Sequence, residues 1–149
     1  MELLRDLFQC GAVVEGIDSQ SPLYTRGEPD SLVYANLFPY LRVPDTQTIA
    51  DTYIMVAVDV AHISRHNPTY AKYATAIWVL AHQERMRMAG RNGTRIDFLA
   101  EQVKALLDGQ RKYGFSELQL MSNREIILNE KYQYRELRFG CDDQRRRVG

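Results

Sequence analysis

Residues 52–63, TYIMVAVDVAHI, are the stretch that decides the fold. β-Branched residues occupy every second position from Ile54 to Val60, which is the period of a β-strand. Tyr53, Met55 and Ala57 lie on the alternate positions, so both faces of the strand are partly apolar. This pattern predicts a central strand that is covered on both sides.

The segments that follow predict more strands. Residues 71–82, AKYATAIWVLAH, alternate in the same way, and the short connection SRHNP predicts an antiparallel hairpin with the first strand. Phe115, Leu118 and Leu120 predict a strand that ends at a Ser122-Asn123 turn, and Ile126, Ile127 and Leu128 follow that turn. Residues 131–141, KYQYRELRFGC, alternate again.

Helices are predicted on either side of the hairpin. Thr94 is a good N-cap, Asp97 suits the positive helix start, and Asp108-Gly109 ends an apolar stripe at helical spacing. The apolar positions of residues 1–15 predict a short amphipathic helix. Residues 16–31 read as a long polar loop, and residues 32–44 as an extended edge segment because Pro39 and Pro44 interrupt it.

This order of elements predicts an α+β fold, with helices packed on an antiparallel or mixed sheet in two layers. The length of 149 residues suits a single domain over residues 1–149. Within it, residues 1–31 form the N-terminal helix and long loop, and residues 143–149 a flexible charged tail. The N-terminus lacks the apolar run of a signal peptide, and no stretch is long enough to span a bilayer.

Composition excludes some classes of function. Lys and Arg number 19 and Asp and Glu number 19, so the formal net charge is zero. A broad nucleic-acid-binding face needs a basic excess, and a neutral chain favours association. Cys10 and Cys141 stand at opposite ends of the chain and predict reduced thiols rather than a disulfide framework.

The sequence predicts no catalytic, cofactor or metal site. His62, His66 and His82 flank the hairpin, but no HExxH or CxxC spacing supports a metal centre. Four acids fall on different elements, and the one inside an apolar strand needs a partner such as Arg85 or Arg95. These acids are Asp51, Asp59, Glu84 and Asp97.

Two basic features stand out. One is a cluster of arginines around a single loop, and the other closes the chain. Such arginines suit a phosphate or an acidic partner. The loop cluster comprises Arg85, Arg87, Arg91 and Arg95, and the terminal group comprises Arg145, Arg146 and Arg147.

Four stretches of the sequence resemble those of a known protein family. The stretches are NLFPYLRVPDTQTIADTYIMVAVDV, IWVLAHQERM, GTRIDFLAEQVKALLDG and FSELQLMSNREIILNEKYQYRELRF, and the resemblance covers about residues 36–143, most of the chain. They resemble small proteins of the head–tail module of tailed bacteriophages and prophages, the tail terminator or neck proteins. The N-terminal loop and the arginine tail have no counterpart in this resemblance.

The resemblance implies a virion protein without enzyme activity or cofactor, assembled in the bacterial host. It implies a homo-oligomeric ring, commonly a hexamer, at the head–tail junction. The ring would cap the tail tube and dock it to the head connector and neck proteins, with DNA passing through its lumen and no membrane involved. Host, tail type and ring size do not follow from the sequence.

The resemblance also suggests roles for particular residues. A ring has head-to-tail contacts, so each subunit needs two different complementary patches. The 16–31 loop and the segment Leu32–Tyr40 are candidates for one patch. We expect subunit contacts from Tyr24, Arg26, Tyr34, Phe38 and Tyr40. We expect Arg85, Arg87, Arg91 and Arg95 to face the lumen and its DNA.

Three other hypotheses remain open at this point. A stopper or adaptor differs from a terminator in its neighbours, although adaptors are mainly helical and this chain is rich in strands. A small metal-dependent nuclease or hydrolase would be built around Asp59 and nearby acids. A regulatory or nucleic-acid-binding module is disfavoured by the neutral charge and by the lack of a basic recognition helix.

Overall fold

The computed structural model describes residues 2–41, 50–63, 70–88, 90–111, 117–128 and 130–144, without the side chains of 58–63, 70–74 and 141–144. Five strands form one mixed sheet in the order β1-β2-β3-β5-β4. The α+β fold is therefore confirmed. The helices are α1 (Glu2–Gln9), α2 (Gly11–Ile17) and α3 (Arg95–Leu107), and the strands are β1 (Leu37–Phe38), β2 (Thr52–Ile63), β3 (Tyr70–His82), β4 (Gln119–Ile127) and β5 (Tyr132–Gln144).

The hairpin predicted from residues 52–82 is confirmed. β2 and β3 pair antiparallel, with Thr52 opposite Ala81 and Val56 opposite Ile77. β5 adds antiparallel to the other side of β3, and β4 pairs with β5 at the edge. β1 runs parallel to β2 at the opposite edge, where Leu37 lies opposite Ile54.

The three helices cover one face of the sheet. The alternate positions of β2, β3 and β5 that include Ile54, Val79 and Leu137 pack there against α1, α2 and α3. α3 begins at its predicted cap, where the Thr94 hydroxyl accepts a hydrogen bond of 3.2 Å from the Asp97 N–H. The period-two pattern of the strands and the stripe of α3 thus meet in one core.

The other face of the sheet carries a second apolar cluster. Phe38, Met55, Leu80 and Tyr134 are buried there, and among the described residues no helical side chain belongs to this cluster. The Trp78 ring stacks on Tyr134 with centroids 4.5 Å apart. The prediction of a central strand with two apolar faces is therefore confirmed, since β2 lies between β1 and β3, but among the described residues no helix covers this second face.

The prediction of one helix over residues 1–15 was wrong. The helix is interrupted at Cys10, whose backbone is extended, and a second helix then runs from Gly11 to Ile17. The second helix therefore takes in the first two residues of the predicted 16–31 loop. Tertiary packing overrides the low helix propensity of glycine, because Gly16 lies buried against α3.

The predicted turn at Ser122-Asn123 was also wrong. Both residues lie inside β4, and the strand has only a register shift between Leu120 and Ser122. The Asn123 side chain accepts a hydrogen bond of 2.9 Å from the Arg135 guanidinium, which keeps this turn-favouring residue in the ladder.

Two other predicted segments are only partly described. Of the predicted edge segment 32–44, Leu37–Phe38 forms the edge strand, and residues 42–49 lie outside the described chain. Of the predicted tail, residues 143–144 end β5, whereas 145–149 with the three arginines lie outside it. Within the described residues, no helix is both long and apolar enough to cross a membrane.

The close contact between α2 and α3 predicts that a larger residue at Gly16 destabilises the protein. A Cβ on Gly16 would come within 2.6 Å of Leu99 Cδ2 and 2.9 Å of Phe98 Cε1, whereas a Cβ on Gly11 would meet nothing within 4 Å. We expect Gly16→Ala to lower the free energy of unfolding by about 1–3 kcal/mol. Gly11→Ala, the matched control on the same helix, should change it by less than about 1 kcal/mol. Urea denaturation of both variants measures this, and equal effects would contradict the close packing.

Candidate assembly surfaces

The segment that connects the end of β3 to α3 carries Arg85, Arg87 and Arg91, and we call it the arginine loop. Its ends are joined by a bridge between Arg87 and Thr94, and Gly90 and Gly93 both have positive φ, which L side chains rarely adopt. Arg87 and Arg91 are exposed on this loop. The Arg91 guanidinium lies 4.3 Å from the centroid of the Phe98 ring, a cation–π contact that orients it along the surface.

Arg95 occupies a different environment. Its side chain turns back from the start of α3, and the residue is 7% exposed. Its guanidinium donates to the carbonyl oxygens of Arg85 at 2.7 Å, Arg87 at 3.5 Å and Gly16. Burial, followed by the charge of Arg85, lowers the pKa of Arg95. Arg95 therefore ties α2, the arginine loop and α3 together.

Arg85 also contacts the end of α2. Its guanidinium donates to the Asp18 carbonyl at 2.6 Å and to the Ile17 carbonyl at 3.4 Å, and it pairs with the Asp18 carboxylate at 3.2 Å. A cation at a helix C-terminus satisfies carbonyls that lack a partner within the helix. The side chain of Asp59, the expected partner, lies outside the described residues, and no sequence pattern indicated that Asp18 would pair with Arg85.

The four arginines named from the sequence thus divide into two pairs. Arg85 and Arg95 use their guanidinium groups within the protein. Arg87 and Arg91 lie at the surface and border an open hollow together with Met88, Gly90, Asn92 and Gly93. A phosphate or an acidic partner would meet the second pair.

This division predicts different effects of substitution. Arg95→Ala would leave buried carbonyls without a partner, so we expect a loss of about 2–4 kcal/mol in the free energy of unfolding. Arg91→Ala, four residues earlier at the surface, should cost less than about 1 kcal/mol. Chemical denaturation of both variants is the measurement. Similar losses from the two variants would show that Arg95 is not the tie between these elements.

A buried polar cluster lies beside the start of β2. The Asp51 carboxylate accepts hydrogen bonds from the N–H of Thr52 at 2.8 Å and from that of Gln20 at 3.2 Å. Asn36 donates to the Thr52 carbonyl at 2.7 Å and accepts from the Ser19 hydroxyl at 2.6 Å. These bonds fix the residues after α2 and the turn before β1 against the sheet.

The titration of Asp51 gives a pH prediction. Burial raises the pKa of this carboxyl above its usual 3.8, and hydrogen bonds from Asn36, Thr52 and Gln20 oppose the rise only in part. The folded protein therefore keeps this proton to higher pH than the unfolded chain does. The stability from this group is present below the unfolded pKa and is lost as the pH rises through the folded pKa.

Asp51→Asn removes that titration and can still accept one backbone hydrogen bond. We expect the unfolding free energy of the native protein, minus that of Asp51→Asn, to fall as the pH rises from about 4 to about 7. Urea denaturation across this range measures the difference. Asp30→Asn, an exposed carboxyl, is the control for the change in charge. A difference that is constant or rises with pH would contradict the assignment.

An aromatic patch surrounds β1 at one edge of the sheet. Tyr34 is 59% exposed and Tyr40 is 47% exposed, while Phe38 beneath them is 2% exposed. Their ring centroids lie 5.7–6.5 Å apart. Tyr34 has a φ of +65°, which is strained for a tyrosine, and its N–H donates to the Leu37 carbonyl at 2.8 Å.

The other residues expected at subunit contacts occupy the loop before this patch. Arg26 is exposed, and Tyr24 is partly buried against the main core. Leu41, which follows Tyr40 in the chain, is also an exposed apolar side chain. We call Tyr34, Tyr40 and Leu41 the β1-edge patch. The structure brings Tyr34, Phe38 and Tyr40 together, with Phe38 supporting the other two.

Sequence reasoning missed two exposed apolar residues on β4, at the opposite edge of the sheet. Met121 is 71% exposed and Ile127 is 70% exposed, and the register places them on opposite faces of the sheet, Met121 beside Gly140 and Ile127 opposite Gln133. The register shift after Leu120 displaces Met121, whose thioether occupies the space that a Cβ on Gly140 would need. The signal was present in the apolar residues of 118–128, but the predicted turn divided this strand in two.

The groups weighed for a metal site do not assemble in the described part of the chain. No cluster of three or more His, Cys, Asp or Glu side chains is found there. His82 instead accepts a hydrogen bond from the Glu84 N–H at 3.1 Å and packs edge-on against the Tyr132 ring. Asp97 pairs with Arg135 at 2.8 Å. His66 and the side chains of Asp59 and His62 lie outside the described residues.

Comparison with known proteins places this α+β chain in a family. The model of the YomW family matches residues 15–141, and the chain belongs to that family. No curated protein gives a significant match. Among solved structures, the fold is similar to that of a chain in the virion of a native gene transfer agent particle. The TM-score is 0.56 at 12% sequence identity, and the alignment covers 94% of this chain and 90% of that one.

Proposed function

We propose that this protein is a structural component of a phage-type virion and acts at the head–tail junction as a tail terminator. The observation that carries the proposal is the similarity of fold, over 94% of the chain, to a chain of a gene transfer agent virion. The YomW family is itself phage-related. In this role the protein forms a ring, expected to be a hexamer, that caps the tail tube and joins it to the head connector.

The surfaces of the molecule suit such a ring. Exposed aromatic residues supply contact area at low conformational cost, so Tyr34 and Tyr40 are the proposed centre of one subunit contact. Phe38 lies beneath them, and Tyr24 and Arg26 lie on the loop leading to them. The strained backbone of Tyr34 supports this role, since strain of this kind is concentrated at functional sites.

The arginine loop is the proposed lining of the lumen. Arg87 and Arg91 are exposed and give the loop two positive charges, enough to favour DNA as it passes without a sequence-specific site. Arg85 and Arg95 fix the conformation of the loop from beneath through the carbonyls of α2. The neutral overall charge is compatible with such a local effect.

Deletion of the gene from the phage or prophage distinguishes the terminator from its neighbours. A missing terminator should give tail tubes of uncontrolled length that do not join filled heads. A stopper or adaptor, the alternative within the same junction, should give tails of normal length and unattached heads that lose DNA. Electron microscopy of the particles measures both. Normal joined particles would contradict any role at the junction.

The same particles test the lumen. We expect Arg87→Glu with Arg91→Glu to lower DNA retention or ejection while the rings still assemble. The control pair, Arg5→Glu with Arg111→Glu, makes the same change in charge at exposed residues away from the loop. Quantitative PCR of particle-protected DNA gives the result. Equal DNA content and ejection in the two double variants would remove the lumen role of the loop.

A further inference from the structure

The hollow in the arginine loop has a basic lining. The described residues that line it are Arg87, Met88, Gly90, Arg91, Asn92 and Gly93. None of these side chains is acidic, and the amide of Asn92 adds further N–H donors to those of the two arginines. The lining therefore offers hydrogen-bond donors and positive charge to a ligand, and no carboxylate that would repel an anion.

The guanidinium groups of Arg87 and Arg91 are not used within the described part of the protein. Arg85 pairs with Asp18, and Arg95 donates to three carbonyl oxygens. Neither Arg87 nor Arg91 forms an ion pair or a side-chain hydrogen bond with another described residue. Each guanidinium carries five N–H donors, so this hollow holds two sets of donors that remain available to a ligand.

The position of these donors is fixed by the surrounding structure. The Arg91 guanidinium lies 4.3 Å from the centroid of the Phe98 ring, and a group stacked on a ring keeps its N–H edges free. Arg87 forms the backbone bridge with Thr94 that closes the loop, and its carbonyl accepts from the buried Arg95. Groups that are already ordered lose less entropy when they bind a ligand.

Two acids of α3 lie in the adjoining hollow. Asp97 and Glu101 line it together with Arg91 and Phe98. Asp97 is paired with Arg135 at 2.8 Å, so its charge is offset. Among the described acids that line either hollow, Glu101 is the one that remains to oppose an anion, against the two positive charges of the loop.

We propose that this hollow is a binding site for one phosphate group, held by paired N–H donors of Arg87 and Arg91. The planar guanidinium matches phosphate oxygens bidentately, whereas a lysine ammonium acts as a point charge. The site goes beyond the lumen role inferred above, which needs positive charge alone. It rests on that role for the source of the phosphate, the DNA backbone, since a free phosphate ion offers the same chemistry.

Nuclear magnetic resonance of the arginine Nε–H groups in the purified full chain tests the site. The protein is titrated with sodium phosphate at constant ionic strength, and separately with a thymidine dinucleotide that contains a single phosphodiester. We expect the signals of Arg87 and Arg91 to shift until they saturate, with both probes. The signals of Arg5 and Arg111, which are exposed away from the loop, should not follow them.

A substitution that preserves charge separates a phosphate site from a positive surface. Arg87→Lys with Arg91→Lys should weaken binding of both probes about tenfold, measured on the amide signals of Asn92 and Gly93. Arg5→Lys with Arg111→Lys is the matched control and should leave the affinity unchanged. Glu101→Gln removes the opposing charge and should tighten binding about threefold.

Each contrary outcome has a distinct meaning. Equal affinity of the native protein and the Arg87→Lys, Arg91→Lys variant would overturn the site and leave the charge-based lumen role intact. Equal shifts at Arg5 and Arg111 would overturn it as well. Binding of inorganic phosphate without the dinucleotide would overturn the DNA backbone as its source.

The site and the proposed function fail separately. A protein that binds both probes as expected, but whose deletion leaves normal joined particles, would keep the phosphate site and lose the role at the head–tail junction.

Discussion

The burial of Arg95 constrains the arrangement of α2, the arginine loop and α3. Its guanidinium donates to the carbonyl oxygens of Gly16, Arg85 and Arg87, so the end of α2, the arginine loop and the start of α3 hold one relative position. A buried charge of this kind is tolerated only when its donors are satisfied. Arg85 strengthens the same junction through Asp18. The exposed arginines of the loop are therefore presented from a fixed base.

The helices cover one face of the sheet and leave its edges and its second face to other contacts. The second face is closed in part by large side chains of the sheet itself, such as Trp78 on Tyr134. The buried Glu136 carboxylate is satisfied there by the Trp78 indole N–H at 2.9 Å and by Arg124. Exposed large apolar side chains include Tyr34 and Tyr40 beside β1 and Met121 and Ile127 on β4. The proposed ring uses the aromatic residues beside β1 for a subunit contact and the arginine loop for its lumen.

The strands and the longest helix could be predicted from the sequence because their patterns are local. The period-two alternation of residues 52–82 and the cap at Thr94 each appear within a few residues, and both are confirmed. The break at Cys10 and the continuous β4 depend on contacts between distant residues. Gly16 is helical because it packs on Phe98 and Leu99, and Asn123 stays in a strand because it binds Arg135.

The residues of the candidate surfaces could be predicted from the sequence, but their burial or exposure could not. Aromatic residues near Tyr34 and Tyr40 could be chosen by composition, but the burial of Phe38 and the exposure of Met121 depend on sheet order and register. The arginine cluster could be recognised in the sequence because its four arginines lie within eleven residues. Its division into two structural and two exposed side chains could not, because Arg85 and Arg95 donate to carbonyls at the end of α2, which are 67 and 79 residues away in the chain.

The central claim is that this subunit forms a ring at the end of a tail tube. The most direct measurement is negative-stain electron microscopy, with light scattering, of the purified protein incubated with tail tubes of the same particle. We predict a closed ring of about six subunits with a central hole, seated on one end of the tube. A protein that remains monomeric while the tube ends stay bare would contradict it.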